Sequence, residues 1–317
     1  MSKVQRILFI TSSRIGDAVL SSGLLHYMVQ TYPEARITIG CGPLAASLFE
    51  GVPNLEAVIP IRKQKYNKHW LEFWKKVAGH RWDIVVDLRD SAVSRLIRAR
   101  RRYIFGKHIA KDQHKVSQNA AVMGLANAPG PKLWFTEQQL SKARALIPEG
   151  APVLGVGPSA NWIGKTWPAD RFVEIIKFLT GPGGKMEAAR VAVFAAPGEE
   201  DAARQVLASI PQDRQLDIIA KTDPGVAAAT LSRCDFYIGN DSGLMHCAAA
   251  CGVPTLGLFG PSYPHIYAPW GRKAHYISTP ESFDDLRGYE GYSPQTCGCL
   301  MGSLSVDAVK KKLIDIL

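Results

Sequence analysis

The sequence lacks the short motifs of several nucleotide-dependent enzyme classes. No Gly-x-Gly-x-x-Gly fingerprint follows its first predicted strand and no Walker A loop occurs, so a nicotinamide enzyme is not supported. No Asp-x-Asp pair is present to hold a divalent metal. The chain has only six cysteines, and the spacing in Cys297-Gly-Cys299 is too short for a zinc knuckle. We therefore expect no metal, no disulfide and a reducing compartment.

Apolar segments long enough to cross a membrane are also missing. Residues 242–271 carry no Lys, Arg, Asp or Glu, but prolines and glycines break this stretch, which predicts strands, loops and helices of a buried core. Residues 4–10 are too short and too polar for a secretory signal. With 46% hydrophobic residues and a mean hydropathy of −0.04, we expect a soluble globular protein without a transmembrane helix.

Acidic residues are scarce in the first half of the chain. Residues 1–150 hold 23 of the 38 Lys and Arg residues but only 11 of the 28 Asp and Glu residues, and the excess is densest in residues 62–115. This asymmetry indicates an anionic partner: nucleic acid, a phosphorylated glycolipid or an anionic membrane surface. A solvated basic surface is the alternative. The absence of a helix-turn-helix or an RNP-type sequence argues against nucleic acid.

Strand and helix patterns alternate along the whole chain, which predicts an α/β protein with doubly wound parallel sheets. Predicted strands lie at 6–10, 36–40, 55–61, 83–88, 103–105, 153–156, 190–195, 216–219, 236–238 and 255–258. Proline and glycine bracket a helix at 137–146, so we expect an N-terminal domain at 1–147 and a C-terminal domain at 148–317. Two such domains leave a cleft at the carboxyl edges of their strands, where ligands bind. Whether the last helix, 306–317, packs back on the N-terminal domain is left open by the sequence.

The most informative segment is the predicted strand at 236–238 with the turn that follows it. Gly239-Asn-Asp-Ser-Gly243 leads into a helix from Leu244, with Asp241 or Ser242 as its N-cap. Free N–H groups and the positive end of a helix dipole form a site for phosphate or diphosphate. By itself, the segment fits a capped helix in an ordinary α/β core equally well.

Further motifs follow the first strand of each half. In Arg14-Ile-Gly-Asp17, Gly16 permits a close approach, and Asp17 is either an N-cap or a carboxylate aimed into the cleft. Capping is the favoured interpretation for an isolated Asp at that point. Lys165 lies in a loop of the second half, where it could hold a diphosphate or be an ordinary solvated lysine.

Four segments occur along the chain in this order: Arg14-Ile-Gly-Asp17, Lys165-Thr-Trp-Pro168, Gly239-Asn-Asp-Ser-Gly-Leu-Met-His246 and Leu258-Phe-Gly-Pro261. Together they resemble glycosyltransferase family 9, the ADP-heptose:lipopolysaccharide heptosyltransferases of Gram-negative bacteria. The resemblance spans nearly the whole chain. It implies a GT-B fold of two Rossmann-like domains, with the acceptor on the N-terminal domain and the nucleotide sugar on the C-terminal one. It also implies inversion without a metal, and no cofactor besides the ADP-heptose co-substrate.

The resemblance assigns roles to single residues. Asp17 takes the position of the general base. Donor contacts are expected at Ser159, Lys165, Glu199, Asp241, Ser242, Gly243, His246 and Gly260, with Glu200 as the alternative to Glu199. Acceptor contacts are expected at Ser13, Arg14, Gly16, Arg62 and Arg95. Without the motif, His246 would be interpreted as a satisfied core histidine.

The residues agree with this chemistry in physical terms. Charge builds on the leaving diphosphate, where Lys165 and the helix N-terminus could stabilise it, and Asp17 could take the proton of the attacking hydroxyl. A cation such as Arg14 would lower the basicity of Asp17, unless it points at acceptor phosphate. A UDP or GDP donor, a nucleotide-sugar epimerase and, less favoured, a nucleic-acid binding module stay open. We expect a cytoplasmic protein, loosely attached to the inner face of the cytoplasmic membrane, where the glycolipid acceptor lies.

Overall fold

The computed structural model describes residues 5–293 and 295–317, which fold into two compact α/β units. The first unit ends at Glu137 and also takes up Asp223–Gly225, whereas the second comprises Gln138–Thr222 and Val226–Leu317. The sequence predicted the boundary between 147 and 148. Because the first unit ends at Glu137, the helix at Glu137–Leu146 lies in the second unit apart from its first residue.

The strands of the first unit form one parallel sheet. They are β1 (Arg6–Ile10), β2 (Arg36–Cys41), β3 (Leu55–Pro60), β4 (Trp82–Asp87) and β5 (Ala99–Ile104). Their order across the sheet is β3-β2-β1-β4-β5. The central strand β1 is apolar and fully buried at residues 7–10, as expected for a strand in the middle of a parallel sheet. Its carboxyl end therefore lies beside the ends of β2 and β4.

Helices connect the strands of the first unit. They are α1 (Ile15–Thr31), α2 (Lys68–Val77), α3 (Val93–Leu96) and α4 (Lys115–Ala121), with 3₁₀ turns at Pro43–Phe49 and Lys65–Asn67. In α2 the buried residues His69, Phe73 and Val77 recur every fourth position, so they form one stripe along the helix. Phe73 and Val77 pack in the same core cluster as Trp82 of β4.

The second unit is built around another parallel sheet. Its strands are β6 (Val153–Gly157), β7 (Arg190–Val193), β8 (Gln215–Asp217), β9 (Phe236–Asn240), β10 (Thr255–Phe259) and β11 (Ala274–Ser278). Their order is β11-β10-β9-β6-β7-β8. Because β10, β9 and β6 are neighbours in the middle of the sheet, the loops that follow them start side by side.

Helices connect the strands of the second unit. They are α5 (Glu137–Leu146), α6 (Ala169–Thr180), α7 (Glu200–Ala208), α8 (Pro224–Leu231), α9 (Gly243–Ala250), α10 (Pro264–Tyr267), α11 (Phe283–Arg287) and α12 (Val306–Ile316), with 3₁₀ turns at Ile163–Lys165 and Gln212–Arg214. Helix α6 buries Phe172, Ile175, Ile176 and Leu179, the spacing of one helix face. The last helix, α12, packs against α6 and β11 and belongs to the second unit.

Two parts of the predicted element pattern are wrong. The strand predicted at 103–105 begins earlier: Ala99–Ile104 form β5, because residues 99–104 pair with β4 along its whole length, and α3 ends before it at Leu96. Strand β11 was not predicted, and it pairs with β10 at the edge of the second sheet. Both misses concern edge strands, whose half-exposed residues carry a weak sequence pattern.

Candidate active-site residues

The first group of predicted residues lies where β1 ends. Residues 11–14 lead from β1 into α1, and Arg14 takes the N-cap position without a side-chain capping bond. Asp17 lies in the first turn of α1, with its Oδ2 atom 3.5 Å from the Ser12 hydroxyl. The interpretation of Asp17 as a helix cap is therefore wrong. Its half-buried carboxylate is instead presented at the carboxyl edge of the sheet.

A lysine that the sequence did not point to lies near Asp17. Lys115 begins α4, which packs against α1. Burial lowers the pKa of Lys115, and the negative charge of Asp17 opposes that shift. The Lys115 ammonium also lies 4.6 Å from the centroid of the Phe105 ring. Because these groups are distant in sequence, no local pattern could have predicted their proximity.

Three of the predicted acceptor residues lie on the same segment as Asp17. Ser13, Arg14 and Gly16 all fall between the end of β1 and the first turn of α1. The Ser13 hydroxyl accepts a hydrogen bond from Nη1 of Arg89 at 3.1 Å. Arg89 follows β4, the neighbour of β1, so the structure adds this cation to the group.

The other two predicted acceptor residues lie elsewhere in the first unit. Nη2 of Arg95 is 2.5 Å from Oδ1 of Asp90, with both side chains about half exposed, which is an ordinary surface ion pair. Arg62 is exposed and follows the edge strand β3, which β2 separates from β1. The acceptor assignment is therefore best supported at the end of β1.

In the second unit, one buried side chain ties together the loops that carry the predicted donor residues. Asn240 ends β9 and is fully buried. Its Oδ1 accepts a hydrogen bond from the backbone N–H of Trp167 at 3.2 Å, and its Nδ2 donates to the Pro158 carbonyl at 2.8 Å. Asn240 thereby fixes the loop that carries Ser159 and Lys165 against the end of β9. It lies within the motif, but the sequence assigned it no role.

Lys165 and Asp241 form an ion pair at this edge of the sheet. The lysine Nζ is 2.5 Å from Oδ2 of Asp241, whose side chain is only 8% exposed. An ammonium group has three N–H bonds, so one bond to Asp241 leaves two for another acceptor. Lys165 can therefore balance the buried carboxylate and still meet an anion.

Helix α9 starts directly after this turn. It begins at Gly243, one residue earlier than predicted, and Ser242 takes the N-cap position. The Ser242 side chain accepts no hydrogen bond from the first turn of the helix. The amides of that first turn carry the positive end of the helix dipole, which favours an anion beside Lys165.

Buried hydroxyl groups surround the same turn. Within the described part of the chain, the hydroxyl oxygens of Ser159, Ser242 and Ser262 are buried and have no hydrogen-bond partner. These serines follow β6, β9 and β10, the neighbouring central strands. An unpaired buried hydroxyl costs about 1–3 kcal/mol, so these three hydroxyls are available to pair with a polar ligand. Ser262 was not predicted, although it directly follows the Leu258-Phe-Gly-Pro261 motif.

His246 and Gly260 lie close to these serines in sequence. His246 is 5% exposed within α9, and its backbone N–H donates to the Ser242 carbonyl at 3.4 Å. Gly260 directly follows β10, and a Cβ there would lie 2.7 Å from Cγ of Met301. The structure thus explains Gly260 by packing, and its donor role stays a prediction.

The two glutamates that follow β7 differ sharply. Burial raises the pKa of Glu199, and the charge of Glu200 raises it further. Glu200 accepts a hydrogen bond from the Gly198 N–H at 3.0 Å, the main reason why its pKa is lowered. Glu199 is therefore the better candidate for a ligand contact, because Glu200 already has a local partner.

Two kinds of feature are not found in the described residues. In residues 5–293 and 295–317, no three His, Cys, Asp or Glu side chains come together as a metal site would require. None of the helices described there is both long and apolar enough to cross a membrane.

The two parallel-sheet α/β units match the GT-B fold of solved structures. The family 9 glycosyl transferase of Veillonella parvula superimposes with a TM-score of 0.80 at 20% identity, covering 100% of this chain and 98% of that one. E. coli ADP-heptose lipopolysaccharide heptosyltransferase II gives 0.75 at 21% identity, covering 98% of both chains. The predicted fold class is confirmed.

The family follows from the sequence itself. The model of glycosyltransferase family 9 (heptosyltransferase) matches residues 70–287. This chain therefore belongs to glycosyltransferase family 9. Lipopolysaccharide heptosyltransferase 2 of Salmonella typhimurium is 24% identical over 324 residues, 89% of this chain and 90% of its own length. The predicted family and enzyme class, a glycosyltransferase, are confirmed.

Proposed function

We propose that this glycosyltransferase moves a heptose from ADP-heptose to the inner core of lipopolysaccharide, with inversion and without a metal ion. The observation that carries the proposal is the donor edge, defined as Ser159, Lys165, Asp241, Ser242 and Ser262 at the ends of β6, β9 and β10. It combines an ammonium, a helix N-terminus and unpaired buried hydroxyls around one turn. The names of the Salmonella and E. coli relatives supply the sugar and the acceptor.

The donor edge would hold the diphosphate while the sugar leaves. As the bond between the anomeric carbon and the phosphate oxygen breaks, negative charge grows on the diphosphate. Lys165 and the first amides of α9 would stabilise that charge, which is the task a divalent metal has in other transferases. Asp241 keeps the ammonium in place, and Glu199 is proposed to contact the nucleoside. His246 and Gly243 complete the proposed donor contacts.

The first unit would supply the base. We define the base edge as Ser12, Ser13, Arg14, Asp17 and Arg89 at the ends of β1 and β4. Asp17 would accept the proton of the acceptor hydroxyl as its oxygen forms the new bond to the anomeric carbon. One carboxylate suffices for a single displacement, which inverts the configuration. Arg14 and Arg89 are proposed to meet anionic groups of the acceptor.

The basic surface of the first unit supports attachment to an anionic membrane. In α2, Lys68, Leu71 and Lys75 are exposed at helical spacing, and Lys76 is exposed beside them. Leu71 is 55% exposed, and Tyr66, just before the helix, is 90% exposed. Exposed apolar side chains flanked by lysines suit the interface of a membrane with anionic lipids. We therefore propose a cytoplasmic enzyme that binds the inner membrane surface loosely.

The direct test incubates the protein with ADP-heptose and defined truncated lipopolysaccharide acceptors and follows the products by mass spectrometry. We expect a mass gain of one heptose, the opposite anomeric configuration by NMR, and full activity after treatment with EDTA. Activity lost with EDTA and restored by a metal would contradict the metal-free mechanism. Isomerised donor without transfer would identify an epimerase, and stabilisation by UDP or GDP but not ADP would reassign the donor.

A further inference from the structure

A tyrosine hydroxyl is buried beneath the turn of the donor edge. Tyr237 lies in β9 and is fully buried. Its ring runs along the sheet past the paired residues Gly157 and Gly239. A Cβ atom at either glycine would clash with the Tyr237 hydroxyl. Two glycines on neighbouring strands therefore make room for this single oxygen atom.

In the part of the chain that the structure describes, the Ser242 hydroxyl lies near this phenol, but the two do not form a well-aligned hydrogen bond. Among the described residues, neither the Tyr237 hydroxyl nor the Ser242 hydroxyl has a partner in hydrogen-bonding geometry. Burial raises the pKa of Tyr237, and the nearby Ser242 hydroxyl opposes that shift. The phenol thus stays protonated and can donate. A phenylalanine would avoid the cost of about 1–3 kcal/mol for an unpaired buried hydroxyl, so stability alone does not explain Tyr237.

Ser242 departs from the usual behaviour of its position. A serine at an N-cap normally accepts a hydrogen bond from the second or third amide of the helix. Ser242 makes no such bond, although its backbone is extended as a cap requires, with φ −148° and ψ 171°. Its side chain therefore leaves those amides to another acceptor, and the neighbouring hydroxyl is that of Tyr237.

We propose that Tyr237 is a positioning residue for the diphosphate of the donor. When a diphosphate occupies the turn, the phenol of Tyr237 donates to Oγ of Ser242, and Ser242 donates its own proton to a phosphate oxygen. This orientation keeps the Ser242 oxygen away from the amides of α9, which then also bind the diphosphate. Hydrogen bonds in such a chain polarise one another. The inference rests on the proposed function, because it needs a diphosphate ligand at the donor edge.

The test compares ADP binding by calorimetry in the wild type, Tyr237→Phe and Tyr276→Phe. The control residue Tyr276 lies in β11, is 45% exposed and packs its ring against Phe259. We expect Tyr237→Phe to raise the Kd for ADP about threefold to tenfold, the size of one net hydrogen bond. Its melting temperature without ligand should be unchanged or higher. Tyr276→Phe should bind ADP like the wild type.

Ser242→Ala and the double variant separate a relay from simple packing. If Tyr237 acts through Ser242, the double variant should bind ADP no worse than Ser242→Ala alone, because the phenol then has nothing to orient. Fully additive losses would overturn the relay, and so would wild-type affinity in either Tyr237→Phe or Ser242→Ala. A wild-type protein that does not bind ADP would instead contradict the proposed function, so the two failures are distinguishable.

Discussion

The donor edge and the base edge occupy the same place in two similar sheets, yet they are built differently. At the donor edge, Asn240 is fully buried and fixes the loops, and Asp241 holds Lys165 at 2.5 Å. At the base edge, Arg14 is exposed, and the Ser12–Asp17 contact is long at 3.5 Å. A rigid, partly desolvated edge suits a small ligand of fixed shape, whereas an open cationic one suits a large anionic acceptor.

The largest effect should come from the base edge. Asp17→Asn removes the proton acceptor while keeping the shape of the side chain, so we expect kcat to fall roughly 10²–10⁴-fold. ADP affinity should stay within twofold of the wild type, because the donor edge lies in the other unit. Asp170→Asn, an exposed acidic residue in the first turn of α6, is the matched control. Full activity of Asp17→Asn would show that Asp17 is not the base. The base edge would then no longer differ from the donor edge by supplying the proton acceptor.

The next largest effect should come from Lys165. Lys165→Ala loses charge-assisted hydrogen bonds to the diphosphate, so the Kd for ADP should rise roughly tenfold to a hundredfold in calorimetry. Lys221→Ala, which breaks an exposed ion pair with Asp217, should leave ADP binding unchanged. A Lys165→Ala protein with wild-type affinity would show that the donor edge does not bind the diphosphate.

Combining two changes sharpens the role of this ion pair. Lys165→Ala leaves Asp241 buried without its cation, which should lower the melting temperature. Adding Asp241→Asn should recover part of that loss, because the uncompensated charge is gone, while ADP binding stays weak. Recovery of ADP binding in the double variant would mean that the charge of Asp241, and not the ammonium of Lys165, determines the affinity for ADP.

A smaller effect is expected at the basic surface of the first unit. Changing both Lys75 and Lys76 to Glu should weaken binding to vesicles of mixed anionic and zwitterionic phospholipids by about thirtyfold, at roughly 1 kcal/mol per basic residue lost. The same change at Lys177 and Lys185, exposed lysines of the second unit, serves as the control. Equal losses in both variants would mean that net charge alone, and not this surface, controls the attachment.

The smallest effects concern Glu199 and Glu200, and they should have opposite signs. The folded pKa of Glu199 lies above its unfolded value, so its stabilising contribution is lost as pH rises through the folded pKa. Glu199→Gln should therefore raise the melting temperature at pH 7, with the gain vanishing below pH ~4. The folded pKa of Glu200 is lowered, so Glu200→Gln should lower the melting temperature at pH 7. A lower melting temperature of Glu199→Gln would contradict the first assignment, and a higher one of Glu200→Gln the second.

Sequence patterns predicted best the bounds of the strands that lie inside the sheets. Strands β1, β6 and β9 consist mostly of apolar residues, and their bounds were predicted within two residues. Strand β5 was missed in part because its consecutive arginines, Arg100 to Arg102, resemble an exposed helix, and only pairing with β4 makes them a strand. Edge strands depend on their neighbour more than on their own residues.

In the candidate site, too, local sequence motifs pointed to some residues, whereas others depend on how distant elements pack together. Asp241 directly follows the central strand β9, and the resemblance to the family pointed to both Lys165 and Asp241. The proximity of Lys115 to Asp17 depends on how α4 packs against α1, which no local pattern contains. Likewise, the hydroxyl of Tyr237 stood out only once the neighbouring glycines were seen to surround it.

The ion pair at the donor edge also has a consequence for selectivity. Any anion that binds the free N–H bonds of Lys165 also comes close to the buried carboxylate of Asp241, which repels it. An orthophosphate has few other groups to offset that repulsion, whereas a nucleoside diphosphate could also reach the helix amides and the serine hydroxyls. We therefore expect the carboxylate to disfavour orthophosphate relative to a nucleoside diphosphate.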